Sequence, residues 1–219
     1  MNARDYDKRT PLHLAAINGH DSTVRLLIEA LGADKEAMDN MNWTPLHLAA
    51  MNGHDSTAQL LLKTLGTNIE AESYDKQTPL HLSAINGHDS TVRLLGETLG
   101  TNMDAKDHNK QTLLHLAAMN GHDSTVRLLV EALGADMEAK DNAKQTPLHL
   151  AATKSHDSTV RLLVETLGAD IEAEDRTGRA PLRRAVMSGN NSTVQLLVET
   201  LGANKGAKDM PSRRRSEGP

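Results

Sequence analysis

Residues 10–16 are TPLHLAA, and this heptapeptide recurs with few changes through most of the 219-residue chain. Copies open at Thr10, Thr44, Thr78, Thr112 and Thr146, and a degraded copy opens at Ala180. Successive copies are 34 residues apart. A fixed period of this length is typical of stacked repeat proteins, in which each unit buries its apolar faces against its neighbours. The sequence therefore predicts one elongated array.

The composition limits how such an array is built. Tyr6, Trp43 and Tyr74 are the only aromatic residues, so Leu, Ala, Val, Ile and Met must fill the interior. The chain has no cysteine, which removes disulfides and thiolate sites and favours a reducing compartment. It also lacks an apolar run near the roughly 18 residues that a membrane span requires. We therefore expect a soluble cytoplasmic protein, with the nucleus as the alternative location.

The net charge of −5 is unevenly distributed. Residues 205–219 carry a net charge of +3, which leaves −8 on residues 1–204. An acidic array repels phosphate backbones, which argues against nucleic-acid binding by the array. Residues 210–219 are polar and basic, and we expect them to form a disordered tail.

The first helix of each unit begins at the opening threonine. Thr10 can cap a free amide with its hydroxyl, and Pro11 at the first helical position loses only a donor that had no partner. Gly19 ends this helix, because glycine takes the left-handed conformation at low cost.

A second helix and a loop complete the unit. Asp21 or Ser22 can cap the second helix, and apolar residues at positions 24, 27, 28 and 31 lie on one of its faces. Gly32 ends this helix, and the polar residues 33–43 form a projecting loop. Each unit is therefore helix, turn, helix and loop.

This arrangement resembles that of ankyrin repeat proteins. The resemblance rests on TPLHLAA, Gly19-His20, Leu26-Leu27 and Gly32-Ala33-Asp34, which recur from unit to unit over residues 1–209. It implies an all-α repeat solenoid of stacked helix-turn-helix units with β-hairpin or loop fingers. It also implies a non-enzymatic interaction module or scaffold, without cofactor, that binds a partner protein through its fingers and the concave face of its first helices. A recognition segment of a larger sensor or enzyme, and a structural spacer, are the alternatives.

Two departures from the family pattern affect the geometry. The usual ankyrin unit has about 33 residues, so we expect the additional residue, Leu31 in the first unit, to extend the second helix. Units of this length resemble those of fungal ankyrin arrays. Lys8, Lys76, Lys110 and Lys144 replace the usual fingertip glycine. Because a left-handed turn strains a lysine, we expect these turns to be altered or mobile.

Three other departures affect stability. Gly96 replaces a larger apolar residue in a helix, which predicts that the third unit is the least stable. Ser155 replaces a helix-ending glycine. Arg183 and Arg184 replace the His and Leu of TPLHLAA, which predicts a carboxy-terminal cap with a solvent-facing edge.

Catalytic and metal sites are weighed against structural roles. His20-Asp21-Ser22 contains the residue types of a hydrolase triad, but neighbouring residues at a helix start point in different directions and cannot relay a proton. We therefore expect the histidine to bond to backbone and Asp-Ser to cap the helix. His13 and His20 are seven residues apart in each unit, but their repeat position explains them better than a metal site does.

The candidate partner-binding residues are those that vary between units. Tyr6, Trp43 and Tyr74 all fall in finger loops, where exposed aromatics often anchor interfaces, and Met41 lies beside them. Lys106, His108 and Lys140 make the fourth and fifth fingers basic. An apolar row on the first helices either contacts the partner or packs against the fingers; it consists of Ile17, Met51, Ile85 and Met119.

Overall fold

A computed structural model of the chain describes residues 3–63, 67–98 and 101–204. These residues form twelve α-helices and no β-strand. The first helices of the six units are α1 (Pro11–Ile17), α3 (Pro45–Met51), α5 (Pro79–Asn86), α7 (Leu113–Met119), α9 (Pro147–Lys154) and α11 (Pro181–Met187). The second helices are α2 (Asp21–Arg25), α4 (Asp55–Lys63), α6 (Asp89–Gly96), α8 (Asp123–Arg127), α10 (Asp157–Arg161) and α12 (Asn191–Gln195). The predicted all-α solenoid is confirmed, and its fingers are loops. The predicted tail, residues 210–219, lies outside the described residues.

The opening threonines cap the first helices as predicted. Thr10 Oγ1 accepts the backbone N–H of His13, and the His13 ring accepts the backbone N–H of Thr10. The same reciprocal pair opens α3, α5, α7 and α9. Histidine thus takes the place that glutamate or glutamine usually occupies in a capping box.

The second helix continues into a π turn in four of the six units. Four second helices continue as π-helical segments, at Leu26–Ala30, Leu128–Ala132, Leu162–Thr166 and Leu196–Thr200. In three of these segments a backbone N–H donates to the carbonyl five residues earlier, as Leu133 does to Leu128 at 3.2 Å. A π turn has i→i+5 hydrogen bonds, so it accommodates one residue more per turn than the α-helical i→i+4 pattern. We expected the additional residue only to lengthen the second helix, and this expectation was incomplete. Leu65 and Leu99, which are the counterparts of Leu31 in the second and third units, lie outside the described residues.

One apolar core runs the length of the array. Leu12, Leu46, Leu80, Leu114 and Leu148 occupy one position in successive units and are at most 2% exposed. Fully buried alanines lie beside them on the first helices, and buried valines and leucines come from the second helices. Small alanine faces let neighbouring helices approach closely, so each unit buries its core against the next. No helix among the described residues is both long and apolar enough to cross a membrane.

Candidate functional site

Each finger is a tight turn held by a side chain at its base. In the second finger, the buried Asp39 carboxylate accepts the backbone N–H groups of Met41 at 2.7 Å and Trp43 at 2.9 Å. Aspartates at the same position hold the first, fourth, fifth and sixth fingers, and Ser73 accepts from Gln77 in the third. These aspartates recur at the 34-residue period, and this spacing could have revealed them in the sequence. Their role at the finger base was not predicted.

The fingertip lysines take the conformation that glycine takes elsewhere. The φ angles of Lys8, Lys76, Lys110 and Lys144 lie between 57° and 59°, close to the 70° of Gly178. A backbone bond of 3.0 Å from Lys8 N–H to the Asp5 carbonyl closes the first turn. The expectation that these turns have an altered conformation was wrong, because the bonds at the finger base hold the lysines in the strained conformation, and the expectation of mobility stays a prediction.

Backbone hydrogen bonds join each finger to the next. Tyr74 N–H donates to the Met41 carbonyl at 3.2 Å, and His108 N–H donates to the Asp75 carbonyl at 2.8 Å. The equivalent bonds link Asn40 to Asp7, Asn142 to Asn109 and Arg176 to Ala143. The fingertips therefore form a continuous hydrogen-bonded row with a fixed backbone.

Most of the predicted apolar finger residues lie on this row and face solvent. Tyr6 is fully exposed, Tyr74 is 64% exposed and Met41 is 46% exposed. Trp43 is half-buried at the finger base, and its carbonyl accepts from His13 Nε2 at 3.0 Å. The structure thus brings Met41 and Tyr74 together and places Trp43 at the bottom of its finger.

The fourth and fifth fingers carry exposed basic side chains. Lys106 and His108 are exposed on the fourth finger, and Lys140 is exposed at the position of Lys106 on the fifth. Lys110 and Lys144 are exposed at the two left-handed positions. The finger row therefore changes from aromatic to basic along the array.

The apolar row on the first helices is half-buried. Ile17, Met51, Ile85 and Met119 end α1, α3, α5 and α7 or lie one residue before the end, and each has an intermediate exposure. Their carbonyls accept hydrogen bonds from histidines of the following unit, as Ile17 does from His54 Nε2 at 3.1 Å. The row therefore belongs both to the unit junctions and to the surface.

The TPLH histidines form a buried column, and four of the five bond to a carbonyl of the next finger. His47 Nδ1 accepts the Thr44 N–H at 3.1 Å, and Nε2 lies 3.1 Å from the Gln77 carbonyl. Since a carbonyl only accepts, Nε2 carries a proton, and since Nδ1 accepts the Thr44 N–H, Nδ1 carries none and the ring is neutral. Burial lowers the pKa of His47 and His81 to about 4, and it also lowers the pKa of His13, His115 and His149. His81 Nε2 has no hydrogen-bond partner among the described residues.

The Gly-His histidines form a second column that points toward the preceding unit. His88 Nε2 lies 3.0 Å from the Met51 carbonyl, and His54, His122 and His156 make the equivalent bond. Backbone bonding of these histidines was predicted and is confirmed. Within the described residues, no group of three or more His, Asp or Glu side chains is placed to hold a metal ion.

The aspartate after each of these histidines bonds across the unit junction. Thr57 Oγ1 donates to Asp21 Oδ1 at 2.5 Å, and Thr125 donates to Asp89 at 2.5 Å. The same bond joins Thr91 to Asp55, Thr159 to Asp123 and Thr193 to Asp157. Within the described part of the chain, the residues that precede α2, α6, α8 and α10 make no side-chain capping bond. The prediction of an Asp-Ser cap was wrong, because the carboxylate binds the threonine of the next unit instead.

The fold and its fingers match a known family. A family model described as ankyrin repeats matches three stretches, residues 1–73, 64–141 and 132–209. The chain belongs to the ankyrin repeat family. Proteins of this family are protein–protein interaction modules, and the fold is generally non-enzymatic.

Two individual proteins illustrate this ankyrin similarity. The human ASB11 ankyrin repeat domain superposes with a TM-score of 0.81 and 27% sequence identity, covering 92% of this chain and 87% of that one. The serine/threonine-protein kinase VIK of Arabidopsis thaliana is 54% identical over 39 residues. That match covers 18% of this chain and 9% of the kinase.

The junction between the fifth and sixth ankyrin units differs from the others, because two residues that contact each other are both replaced there. A Cβ on Gly121 would lie only 2.5 Å from His156 Nδ1, so a side chain there would strike the ring. At the next junction Ser155 replaces the glycine, and Asn190 replaces the histidine. Ser155 keeps a φ of 62°, and Asn190 Nδ2 donates to the Ala152 and Thr153 carbonyls at 2.9 Å. The smaller asparagine therefore leaves room for the serine.

The last ankyrin unit contains a partly buried ion pair between its finger and its first helix. Arg184 Nε donates to Asp175 Oδ2 at 2.7 Å, and the Asp175 side chain is fully buried. Burial raises the pKa of Asp175, but hydrogen bonds from Thr177, Arg179 and Arg184 outweigh it and hold the pKa below its ordinary value. Arg184 was expected at a solvent-facing edge; it is partly buried because it neutralises this carboxylate.

Proposed function

We propose that this ankyrin array binds a partner protein through its fingertip row. The observation that supports the proposal is the placement of Tyr6, Met41 and Tyr74, three exposed apolar side chains on loops whose backbone is already hydrogen-bonded. Large exposed aromatics are common anchors of interfaces. A fixed backbone loses little conformational entropy on binding, so modest contacts suffice to hold a partner.

The charge of the fingers suggests the chemistry of the partner. Lys106, His108 and Lys140 follow the aromatic fingers along the row, although the rest of the array is acidic. We therefore propose a partner segment with apolar side chains at one end and acidic side chains at the other. Charge complementarity would mainly fix its direction and speed its association.

The first helices would form the floor of this surface. Ile17, Met51, Ile85 and Met119 are half-buried, so each still offers part of its side chain to a partner. Methionine adapts readily to different partners. In this proposal the concave face adds apolar contact beneath the fingers. We propose the cytoplasm as the location, since a chain without cysteine suits a reducing compartment.

The test is affinity capture from cells of the source organism with two matched variants. The fingertip variant carries Tyr6→Ala, Met41→Ala and Tyr74→Ala, and leaves the half-buried Trp43 in place. The control variant carries Arg93→Ala and Arg127→Ala, which remove exposed ion pairs on α6 and α8. Circular dichroism must show equal helix content in all three chains.

We expect the native chain and the control variant to retain the same protein and the fingertip variant to lose it. A second variant, Lys106→Glu with Lys140→Glu, should weaken retention most at low salt. Equal retention by the fingertip variant would refute this surface. If no chain retained a protein, the spacer function would be favoured instead.

A further inference from the structure

A cavity of about 340 Å³ lies between the fourth and fifth fingers. Its floor is apolar and is formed by Met103 of the fourth finger and by Leu113 and Leu114, which open α7. Lys106 of the fourth finger and Lys140 of the fifth also line it. Protein sites for small groups are concave, with apolar walls and a few polar groups that fix orientation. This cavity has an apolar floor beneath a charged rim.

Asp136, on the rim of this cavity, differs from its counterparts in its hydrogen bonding. At the next junction Glu138 Oε1 accepts the backbone N–H of Asp170, 32 residues later, at 2.9 Å. The glutamate position of the fourth finger holds Asp104, which is shorter by a methylene. The Asp136 N–H has no acceptor within the described ranges, so the cavity presents a backbone donor that other junctions pair with a carboxylate. The other such pairs are Glu36 with Asn68, Glu70 with Asn102, and Glu172 with Asn204.

The two lysines of the rim occur together only at this junction. The fourth and fifth fingers are the one neighbouring pair in the sequence with lysine at this position; the six fingers hold Arg4, Met38, Glu72, Lys106, Lys140 and Glu174 there. Arg4 is used inside the array, because its guanidinium donates to the Met38 carbonyl at 2.7 Å. In the part of the chain that the structure describes, the side chains of Lys106 and Lys140 make no ion pair or hydrogen bond. The shortened carboxylate and the two available cations therefore coincide.

Three carboxylates also line the cavity, and two of them already accept hydrogen bonds. Asp136 Oδ1 accepts the Glu138 N–H at 2.9 Å, and Glu138 accepts from Asp170. The Asp104 carboxylate has no donor among the described residues and repels an incoming anion. The next junction nevertheless holds the Glu138 carboxylate beside Asp170, with lysine on only one of its two fingers. The array therefore accommodates a carboxylate at this position with less positive charge than the cavity offers.

We propose that this cavity binds a glutamate side chain of the partner protein. Its carboxylate accepts from the Asp136 N–H and pairs with Lys106 and Lys140, and its methylenes lie on the apolar floor. A hydrogen bond to an ionised acceptor is about twice as strong as one between neutral groups. The inference rests on the proposed function, and it names the residue that anchors the acidic end of the partner.

The test uses a probe in place of the unidentified partner. The probe is the peptide acetyl-Ala-Ala-Glu-Ala-Ala-amide, whose glutamate is its only charge, and the same peptide with glutamine is the control. Each is titrated into the isotope-labelled full chain at neutral pH and low salt, and the backbone amide signal of Asp136 is followed by NMR. We expect the glutamate peptide to bind at least about five-fold more tightly than the glutamine peptide.

Asp104→Glu is the main variant, because it supplies a carboxylate of the chain itself at the length that other junctions use. We expect it to weaken binding of the glutamate peptide at least about ten-fold, since a tethered carboxylate competes at high effective concentration. Its melting temperature should equal or exceed that of the parent, which excludes unfolding as the cause.

Two further variants separate the backbone donor from the lysines. Lys106→Gln with Lys140→Gln should weaken binding about three- to ten-fold at low salt and less at high salt. Glu36→Asp shortens the carboxylate at a junction without these lysines, and the Asn68 amide signal should then respond equally to both peptides.

The inference is wrong if the Asp136 signal responds equally to both peptides, or if the Asp104→Glu chain binds the glutamate peptide as tightly as the parent does. Affinity capture separates it from the proposed function. If the fingertip variant loses the partner but Asp104→Glu retains it fully, the cavity is refuted and the fingertip surface stands. If the fingertip variant retains the partner and Asp104→Glu loses it, the fingertip surface is refuted and the glutamate site stands.

Discussion

Single residues decide how the units of this ankyrin array join. A TPLH histidine bonds forward to the next finger, and a Gly-His histidine bonds back to the preceding unit. The TPLH histidine His47 is a neutral ring, because its Nδ1 accepts a backbone N–H and its Nε2 donates to a carbonyl. Burial lowers the pKa of the TPLH histidines, which gives this column a dependence on pH.

We expect the free energy of unfolding to fall as the pH drops from about 6.5 to about 4. In this window the unfolded chain protonates its histidines, whereas His47 and His81 stay neutral in the native state because their pKa is lowered to about 4. The unfolded state then binds more protons, so acid favours unfolding. Above this window both states are neutral and the dependence disappears. Urea unfolding at a series of pH values measures the slope.

The His47→Gln variant is the control for this pH dependence. Glutamine does not titrate, so the variant should show a smaller slope between about pH 6.5 and 4. An unchanged slope would assign the pH dependence to other groups.

The Gly-His contact explains why glycine and histidine occur together. A Cβ on Gly53 would lie 2.7 Å from His88 Nδ1, and Gly53 has a φ of 68°. We expect Gly53→Ser to destabilise the chain by about 2–4 kcal/mol. The double variant with His88→Asn should recover at least about 1 kcal/mol relative to the sum of the single changes. Denaturant unfolding of the four chains gives this coupling energy.

Gly189 provides the matched control for strain alone. It has a φ of 72°, but a Cβ added to it would have no neighbouring atom within 4 Å among the described residues. Gly189→Ser should therefore cost only the left-handed strain, about 1–2 kcal/mol. A cost equal to that of Gly53→Ser would show that the histidine ring plays no part.

For single residues, the sequence predicted local roles, such as ending a helix, better than it predicted hydrogen-bond partners in other units. The repeated threonines, prolines and glycines allowed the helix ends of the first helices to be predicted, because local backbone chemistry decides them. The aspartate after each Gly-His pair was mistaken for a cap, since its threonine partner is 36 residues away. Ser155 was recognised as unusual, but Asn190 explains it only once the two units are stacked.

At the scale of elements, short helices depend on the bonds between units. Most second helices have only five α-helical residues before their π turn. Helices of this length are unstable in isolation, so tertiary contacts must hold them. The threonine-to-aspartate bond is one such contact, repeated at five junctions.

Removing one of these hydroxyls should weaken its junction. We expect Thr125→Val to lower the free energy of unfolding by about 1–3 kcal/mol, because the partly buried Asp89 loses the hydrogen bond donated by the fully buried Thr125. Thr23→Val makes the same chemical change at the exposed first unit and should alter stability by less than about 0.5 kcal/mol. Equal effects in urea unfolding would mean that the bond to aspartate contributes nothing.

The elements were predictable where the repeat supplied a strong local pattern. The order helix, turn, helix and loop followed from the spacing of apolar residues and glycines. The π turn did not, because an inserted residue can lengthen a helix or widen it, and the local sequence pattern is the same for both. The fingertip conformation was also missed, since bonds to the finger base override the preference of lysine.

At the scale of the whole molecule, the junction between the third and fourth units lacks, within the described ranges, two contacts that other junctions have. His81 Nε2 lacks a hydrogen-bond partner among the described residues here. Glu36, Glu70, Glu138 and Glu172 each accept a backbone N–H from the next unit's loop, but the shorter Asp104 makes no such bond within the described part of the chain. Gly96 of the third unit faces Leu133 of the fourth unit at this junction. These features support the prediction that the third unit is the least stable.

A methyl group at this junction should stabilise the array. We expect Gly96→Ala to raise the free energy of unfolding by about 0.5–1 kcal/mol, because alanine favours the helix and restricts the unfolded chain. Its Cβ would lie 3.0 Å from Leu133 Cδ1, the end of a flexible side chain. Hydrogen exchange should slow in α6 and α8, and denaturant unfolding gives the energy.

Gly168→Ala is the control for this change. Gly168 has open space around it but a φ of 80°, so alanine there should destabilise the chain. If Gly96→Ala were also destabilising, contact with Leu133 would outweigh the helix preference.

The matched pair Ser155 and Asn190 has a consequence for how the gene can change in length. Recombination between any two of the first four units exchanges junctions built from the same glycine and histidine, so it would yield longer or shorter arrays that still fold. A crossover that separates the fifth unit from the sixth would set Ser155 against a histidine ring. The fifth and sixth units are therefore expected to be inherited together, while copies of the others come and go.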